Sequence, residues 1–263
     1  MIRNLWRILV PAIILGLSIL LIVVLNKKSN DHRRTVTCHK LEVVIADSAT
    51  LGFVTKEDVR KVLDKEYGVY VGQRIDSVNL KKIEAILDNR SAVLKSEAYT
   101  TLDGILHVRI VQREPIVRFK IGDGGYYADE KGFIFPLQDG YKSYVCTVDG
   151  DIPLTVAPGY KGPAKTLKER KWLMGLIQLI QTIQSDKDRK KWIKRISVAP
   201  NGDILLRPSE GREKFVFGQP ENVERKFGKI EDYYKYIAPT KEKGHYTYVN
   251  VKYNGQIICR EKE

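Results

Sequence analysis

A chain of 263 residues with 43% apolar and 29% charged side chains holds material for about two packed cores, which excludes a disordered or low-complexity polymer. Its net charge of +13, from 45 Lys and Arg against 32 Asp and Glu, favours an anionic neighbour such as a lipid headgroup, a wall polymer or an acidic protein. The charge is spread along the chain without a zinc-finger spacing, an RNA-recognition aromatic motif or a basic zipper, so nucleic acid is excluded as the expected partner.

Residues 8–25 (ILVPAIILGLSILLIVVL) carry no charge. At 1.5 Å per residue such a run just crosses a hydrocarbon core of about 30 Å, and it predicts one transmembrane helix. Trp6 sits where an interfacial aromatic belongs, and Arg3, Arg7, Lys27 and Lys28 bracket the run. No A-x-A-like cleavage site follows it, so the segment reads as an uncleaved anchor between a tail at 1–7 and a basic linker at 26–37. The flanking charges, Arg3 and Arg7 against Lys27, Lys28, Arg33, Arg34 and Lys40, place the bulk of the chain in the cytoplasm when counted naively. Long domains translocate largely regardless of such charges, so the count does not fix the orientation.

Residues 38–115 read as strand–helix–helix–strand–strand. Leu41, Val43 and Ile45 alternate with polar positions. Thr55, followed by Glu57 and Asp58, predicts the N-cap of a short helix ending near Leu63, and a second helix follows Asp76 or Asn79 with Leu80, Ile83 and Leu87 on one face. Strands at 93–100 and 105–111 flank Asp103-Gly104, a hairpin signal, and Pro115 marks the exit.

Residues 116–263 read as a mostly β domain with two helices. Strands are expected at 116–121 and 126–137, the latter broken by Lys131-Gly132. Thr166-Leu167-Lys168-Glu169 is a capping box that opens a helix with Leu173, Leu176, Ile177, Ile180 and Ile183 on its apolar face. Strands at 193–198, 203–207 and 214–217 precede a helix begun by Pro220, with Val223, Phe227, Ile230, Tyr234 and Ile237 as its stripe. A strand at 245–253 then leads through Asn254-Gly255, a type I′ turn signal, into a return strand at 256–260. The fold class is therefore α+β.

The motifs of catalysis are missing. There is no G-x-S-x-G elbow and no S-x-x-K, and His32, His39, His107 and His245 form no H-x-x-x-H pair. Asp129 and Glu130 are neighbours on a predicted strand and point to opposite faces, which defeats joint acid–base work. Cys38, Cys146 and Cys259 lie far apart, so at most one bridge forms and one thiol is left over. The basic run Lys187, Arg189, Lys190, Lys191, Lys194 and Arg195 is a solvated helix end or a contact for an anionic lipid or polymer. No catalytic residue, cofactor or metal is expected.

Four stretches in order carry a family resemblance. They are Val54-Thr55-Lys56-Glu57-Asp58-Val59 with Gly72 and Val78, then 104–116 ending in Arg113-Glu114-Pro115-Ile116, then 127–135 with Asp129, Gly132 and Phe133, and last Tyr248-Val249-Asn250-Val251-Lys252-Tyr253. Together they resemble the FtsQ/DivIB family of bacterial cell-division proteins. Ala92 stands where the family carries an aromatic, Asn250 where it carries Asp, and the Trp often seen in the last strand is absent.

The resemblance implies a POTRA-like domain at 38–115 and a β domain at 116–263, both outside the cytoplasmic (inner) membrane, with a cytoplasmic N-terminus. It implies a non-catalytic divisome scaffold that binds FtsB/DivIC-type and FtsL-type division proteins. The alternative is a POTRA-type assembly or export factor of the envelope, although such proteins carry several POTRA units or a barrel. In the resembled family the FtsB-type partner extends the sheet at the last strand. The residues expected to dock it here are Val251, Lys252 and Tyr253 before the turn and Gln256, Ile257, Ile258 and Arg260 after it. Lys252 is expected to meet a partner carboxylate.

Overall fold

The computed structural model describes residues 14–25, 35–121, 124–138 and 140–261. Residues 14–25 are helical (α1), and their large apolar side chains are each more than half exposed. Among the described residues, no helix is long and apolar enough to cross a membrane. At 1.5 Å per residue the described part of α1 spans about 18 Å. Residues 8–13 of the expected span lie outside the described residues, as do the tail at 1–7 and linker residues 26–34.

The remaining chain forms two compact units that divide after Gln112. In the first, β1 (Lys40–Ile45) buries Leu41, Val43 and Ile45, as strict alternation requires. Thr55 caps α2 (Lys56–Glu66) through a capping box. Asp58 N donates to Thr55 Oγ1 at 3.1 Å, and Thr55 N donates to Asp58 Oδ2 at 3.0 Å. The helix runs one turn beyond Leu63, because Tyr67 N and Gly68 N still find Leu63 O. Asn79, rather than Asp76, caps α3 (Leu80–Asp88), its Oδ1 accepting from Lys82 N at 3.0 Å.

β2 (Val93–Thr100) and β3 (Ile105–Gln112) are antiparallel, and β1 joins β3 in parallel, giving the order β1-β3-β2. Their connection needs Gly104, whose φ is +83° and whose missing Cβ would lie 2.5 Å from Thr37 O. Asp88 Oδ1 accepts from Ser96 N and Ser96 Oγ, both at 2.7 Å, and ties α3 to β2. Leu63, Ile83, Leu106 and Ile110 fill the core.

The second unit is a mixed sheet of ten described strands: β4 (Pro115–Phe119), β5 (Tyr126–Asp129), β6 (Phe133–Pro136), β7 (Cys146–Gly150), β8 (Gly162–Pro163), β9 (Ile193–Val198), β10 (Ile204–Pro208), β11 (Lys214–Gly218), β12 (Tyr246–Asn250) and β13 (Ile258–Glu261). Their order is β13-β12-β11-β10-β9-β7-β4-β5-β6-β8. The helices α4 (Leu167–Ser185), α5 (Lys187–Trp192) and α6 (Val223–Asp232) separate them in sequence. Leu173, Leu176, Ile177 and Ile180 of α4 and Phe227 and Ile230 of α6 join Val148, Ile196, Leu206, Phe215 and Phe217 of the strands in one core.

Departures from the sequence reading include the following. β7 and β8 are additional strands, and they are short, with Val148 the one fully buried side chain of β7. The basic run at 187–195 divides between α5, capped by Asp186, and β9. After Asp232, α6 widens into a π turn at Tyr233–Ile237, so Tyr233 (1% exposed) rather than Tyr234 takes the innermost place.

Candidate partner-docking edge

A sheet can be extended only where a strand lacks a neighbour. One end of this sheet is β8, two residues long and ending in Pro163, which has no N–H to donate. The other end is β13, which among the described residues pairs on one side alone, with β12 through Asn250↔Ile258, Val249↔Cys259, Tyr248↔Arg260 and Tyr246↔Glu261. The β13 edge is therefore the longer and better equipped template.

Side chains of β13 divide by face. Cys259 lies opposite fully buried Val249 and packs on the core, as does Ile257 just before the strand. Ile258 and Arg260 occupy the alternate positions. Arg260 sits over the Tyr248 ring, 5.1 Å from its centroid. His245 Nε2 lies 2.8 Å from Glu261 Oε1 and fastens the far end of the strand.

The hairpin is not the two-residue turn expected at Asn254-Gly255. Pairing stops at Asn250↔Ile258, and residues 251–257 form the connection. Two interactions draw the backbone away from a simple ladder. Val251 N donates to Val216 O of β11 at 3.1 Å, and Lys252 N donates to Asn250 Oδ1 at 3.0 Å. Lys229 of α6 then reaches under the connection, its Nζ donating to the carbonyls of Tyr253, Gln256 (3.3 Å) and Val251 (3.5 Å). Burial and nearby Arg225 lower the Lys229 pKa.

The seven expected docking residues thus fall into different environments. Ile258 and Arg260 lie on the edge strand, while Tyr253 (45% exposed) and Gln256 lie on the adjoining connection. Val251 is fully buried, which corrects its place in the set: its side chain is core. Lys252 already holds a carboxylate of its own chain, with Nζ 2.8 Å from Asp203 Oδ2. That hydrogen bond is the main cause of its raised pKa. Sequence reasoning missed Asp203 and Lys229, because each acts on residues far along the chain.

Elsewhere, Asp129 is bound to Arg113, with Oδ2 2.6 Å from Nη1. Among the described residues, no three His, Cys, Asp or Glu side chains come together to hold a metal ion. All three cysteines are free, and burial pushes the Cys146 thiol up to about 11.

An α+β unit of order β-α-α-β-β followed by a mostly β unit with an open terminal edge defines a POTRA-type domain joined to a sheet domain. Residues 36–111 match the model of the POTRA-like domain, and residues 114–260 match the model described as FtsQ/DivIB, C-terminal related. The second match spans more than half of the chain, which belongs to this FtsQ/DivIB family. Membership indicates a scaffold role in cell division. A comparison with curated proteins gave no match.

Proposed function

We propose that the chain is a non-catalytic divisome scaffold whose β13 edge receives an extended segment of an FtsB/DivIC-type partner, with an FtsL-type protein in the same assembly. The single observation behind this reading is the asymmetry of the sheet among the described residues: one edge is blunt and ends in proline, and the other is a four-residue strand with one free side. Ile258 and Arg260 give the edge an apolar and a cationic side chain for selecting the partner.

The apolar segment at 8–25 holds the protein in the cytoplasmic membrane, with the N-terminus in the cytoplasm and both units outside it. A reporter fused after Glu263 is expected to work only as an extracytoplasmic enzyme. Activity confined to the cytoplasm would reverse that topology.

Depletion tests the division role. Filaments of unseparated cells are expected. Loss of outer-membrane proteins at normal cell length would instead indicate an assembly factor, and altered wall chemistry with measurable turnover by the purified chain would indicate an enzyme.

A further inference from the structure

Five exposed cations line one groove of about 1090 Å3 in the second unit: Lys120 after β4, Lys190 on α5, Lys194 on β9, Arg207 on β10 and Arg212 before β11. Among the described residues, none of the five side chains has a hydrogen bond, an ion pair or a ring contact.

Two acids share the lining, Asp149 and Glu213, and the Glu213 Oε2 atom has no hydrogen-bond partner among the described residues. Asp149 is held by Arg195, with Oδ2 3.0 Å from Nε and 2.7 Å from Nη2. Glu213 is buried and accepts from Tyr233 OH at 3.4 Å. Arg207 stands directly across from Arg195 in the β9–β10 ladder. Like charges so placed repel, and Asp149 offsets only Arg195. The fold therefore gathers six cations, the five and Arg195, against two acids in the described lining of one concavity, and leaves it strongly positive.

Arginine forks match the oxygens of a phosphate, and lysines add point charge around them. The groove is far larger than one phosphate group, and its concave form suits an entering chain better than a flat bilayer. We propose that it binds a soluble ligand carrying two or more phosphate groups. Arg207 and Arg212 provide the forks, and Lys120, Lys190 and Lys194 provide the surrounding charge. The site is separate from the β13 edge and does not depend on that reading.

The test titrates the full chain in neutral detergent with sodium tripolyphosphate, followed by calorimetry. Saturable binding is expected, weakening as salt screens the charges. The variant Lys190→Ala/Lys194→Ala/Arg207→Ala should bind at least about tenfold more weakly, because it loses charge-assisted contacts. A control of equal net charge, Lys56→Ala/Lys61→Ala/Lys81→Ala, should match the parent. Arg207→Lys should fall between parent and triple variant, since it keeps the charge but loses the fork. Circular dichroism checks folding. No binding by the parent, or equal weakening by the control, overturns the proposal. So does binding confined to phosphatidylglycerol in mixed bicelles, which would assign the groove to a membrane surface instead.

Discussion

Arg113 lies on the face of Phe133, its guanidinium carbon 3.7 Å from the ring centroid, while its Nη1 donates to Asp129 Oδ2 at 2.6 Å. The other carboxylate oxygen accepts from Lys131 N and Phe133 N, each at 2.9 Å, and so shapes the turn between β5 and β6. Both charged side chains are nearly buried, at 11% and 6% exposure. The Arg-Glu-Pro stretch and the Asp–Gly–Phe stretch, both of which carry the family resemblance, thus meet in one contact.

Removing one partner of such a pair strands the other charge. Arg113→Ala is expected to cost about 3–5 kcal/mol in urea unfolding. Arg113→Lys keeps the charge but lacks the planar fork and the stacking, and should recover only part of that loss. Full recovery by lysine would show that charge alone matters here.

Lys252 and Asp203 make the second prediction. Lys252→Ala leaves the buried Asp203 carboxylate without its cation, for a loss of about 1.5–3 kcal/mol. If Lys252 served only a partner, its removal would leave unfolding unchanged. The hydrogen bond raises the Lys252 pKa above its unfolded value. Its stabilisation is therefore complete below the unfolded lysine value and is lost as pH rises through the folded one. Alkaline unfolding of the parent, compared with Lys252→Ala, reads this difference.

The capping box of α4 gives the third. Glu169 N donates to Thr166 Oγ1 at 3.1 Å, and Glu169 Oε2 accepts from Lys165 N at 3.0 Å. Thr166→Ala should cost about 1 kcal/mol. Desolvation acts to raise the Glu169 pKa, but the hydrogen bonds from Thr155, Thr166 and Lys165 together lower it. Its contribution is present above the unfolded carboxylate value and is lost as pH falls through the folded one. Glu169→Gln should flatten that part of the acid unfolding curve, and an unchanged curve would remove Glu169 from the account.

Docking on β13 gives the fourth. Proline at Ile257 or Ile258 removes one backbone donor, and an edge strand still tolerates the ring. Partner capture by the purified chain should fall at one or both positions, with circular dichroism unchanged. Undiminished capture at both would exclude strand addition at this edge. Arg260→Ala should weaken capture at a stability cost of no more than about 1 kcal/mol, since Arg260 is exposed and its contact is the Tyr248 ring.

The sequence alone located the helices and strands between residues 38 and 112. Its signals are local: alternation in β1 and β3, side-chain caps at Thr55 and Asn79, and the glycine at 104 that the turn requires. Each operates within a few residues, so spacing suffices to find it. The N-terminal capping box of α4 and the turn at Gly132 were legible for the same reason.

Tertiary structure decided the rest. β7 has a single fully buried side chain and becomes a strand through parallel partners on both sides, β4 and β9, from distant parts of the chain. Burial of Val251, the pairing of Lys252 with Asp203 and the grip of Lys229 on the 251–257 connection all join residues 22 to 49 positions apart or place them against other strands. Likewise, the five cations of the groove come together only because β4, β9 and β10 lie close in one sheet. A linear pattern records which residues are apolar or charged, but their partners depend on strand order, and strand order is set by packing of the whole core.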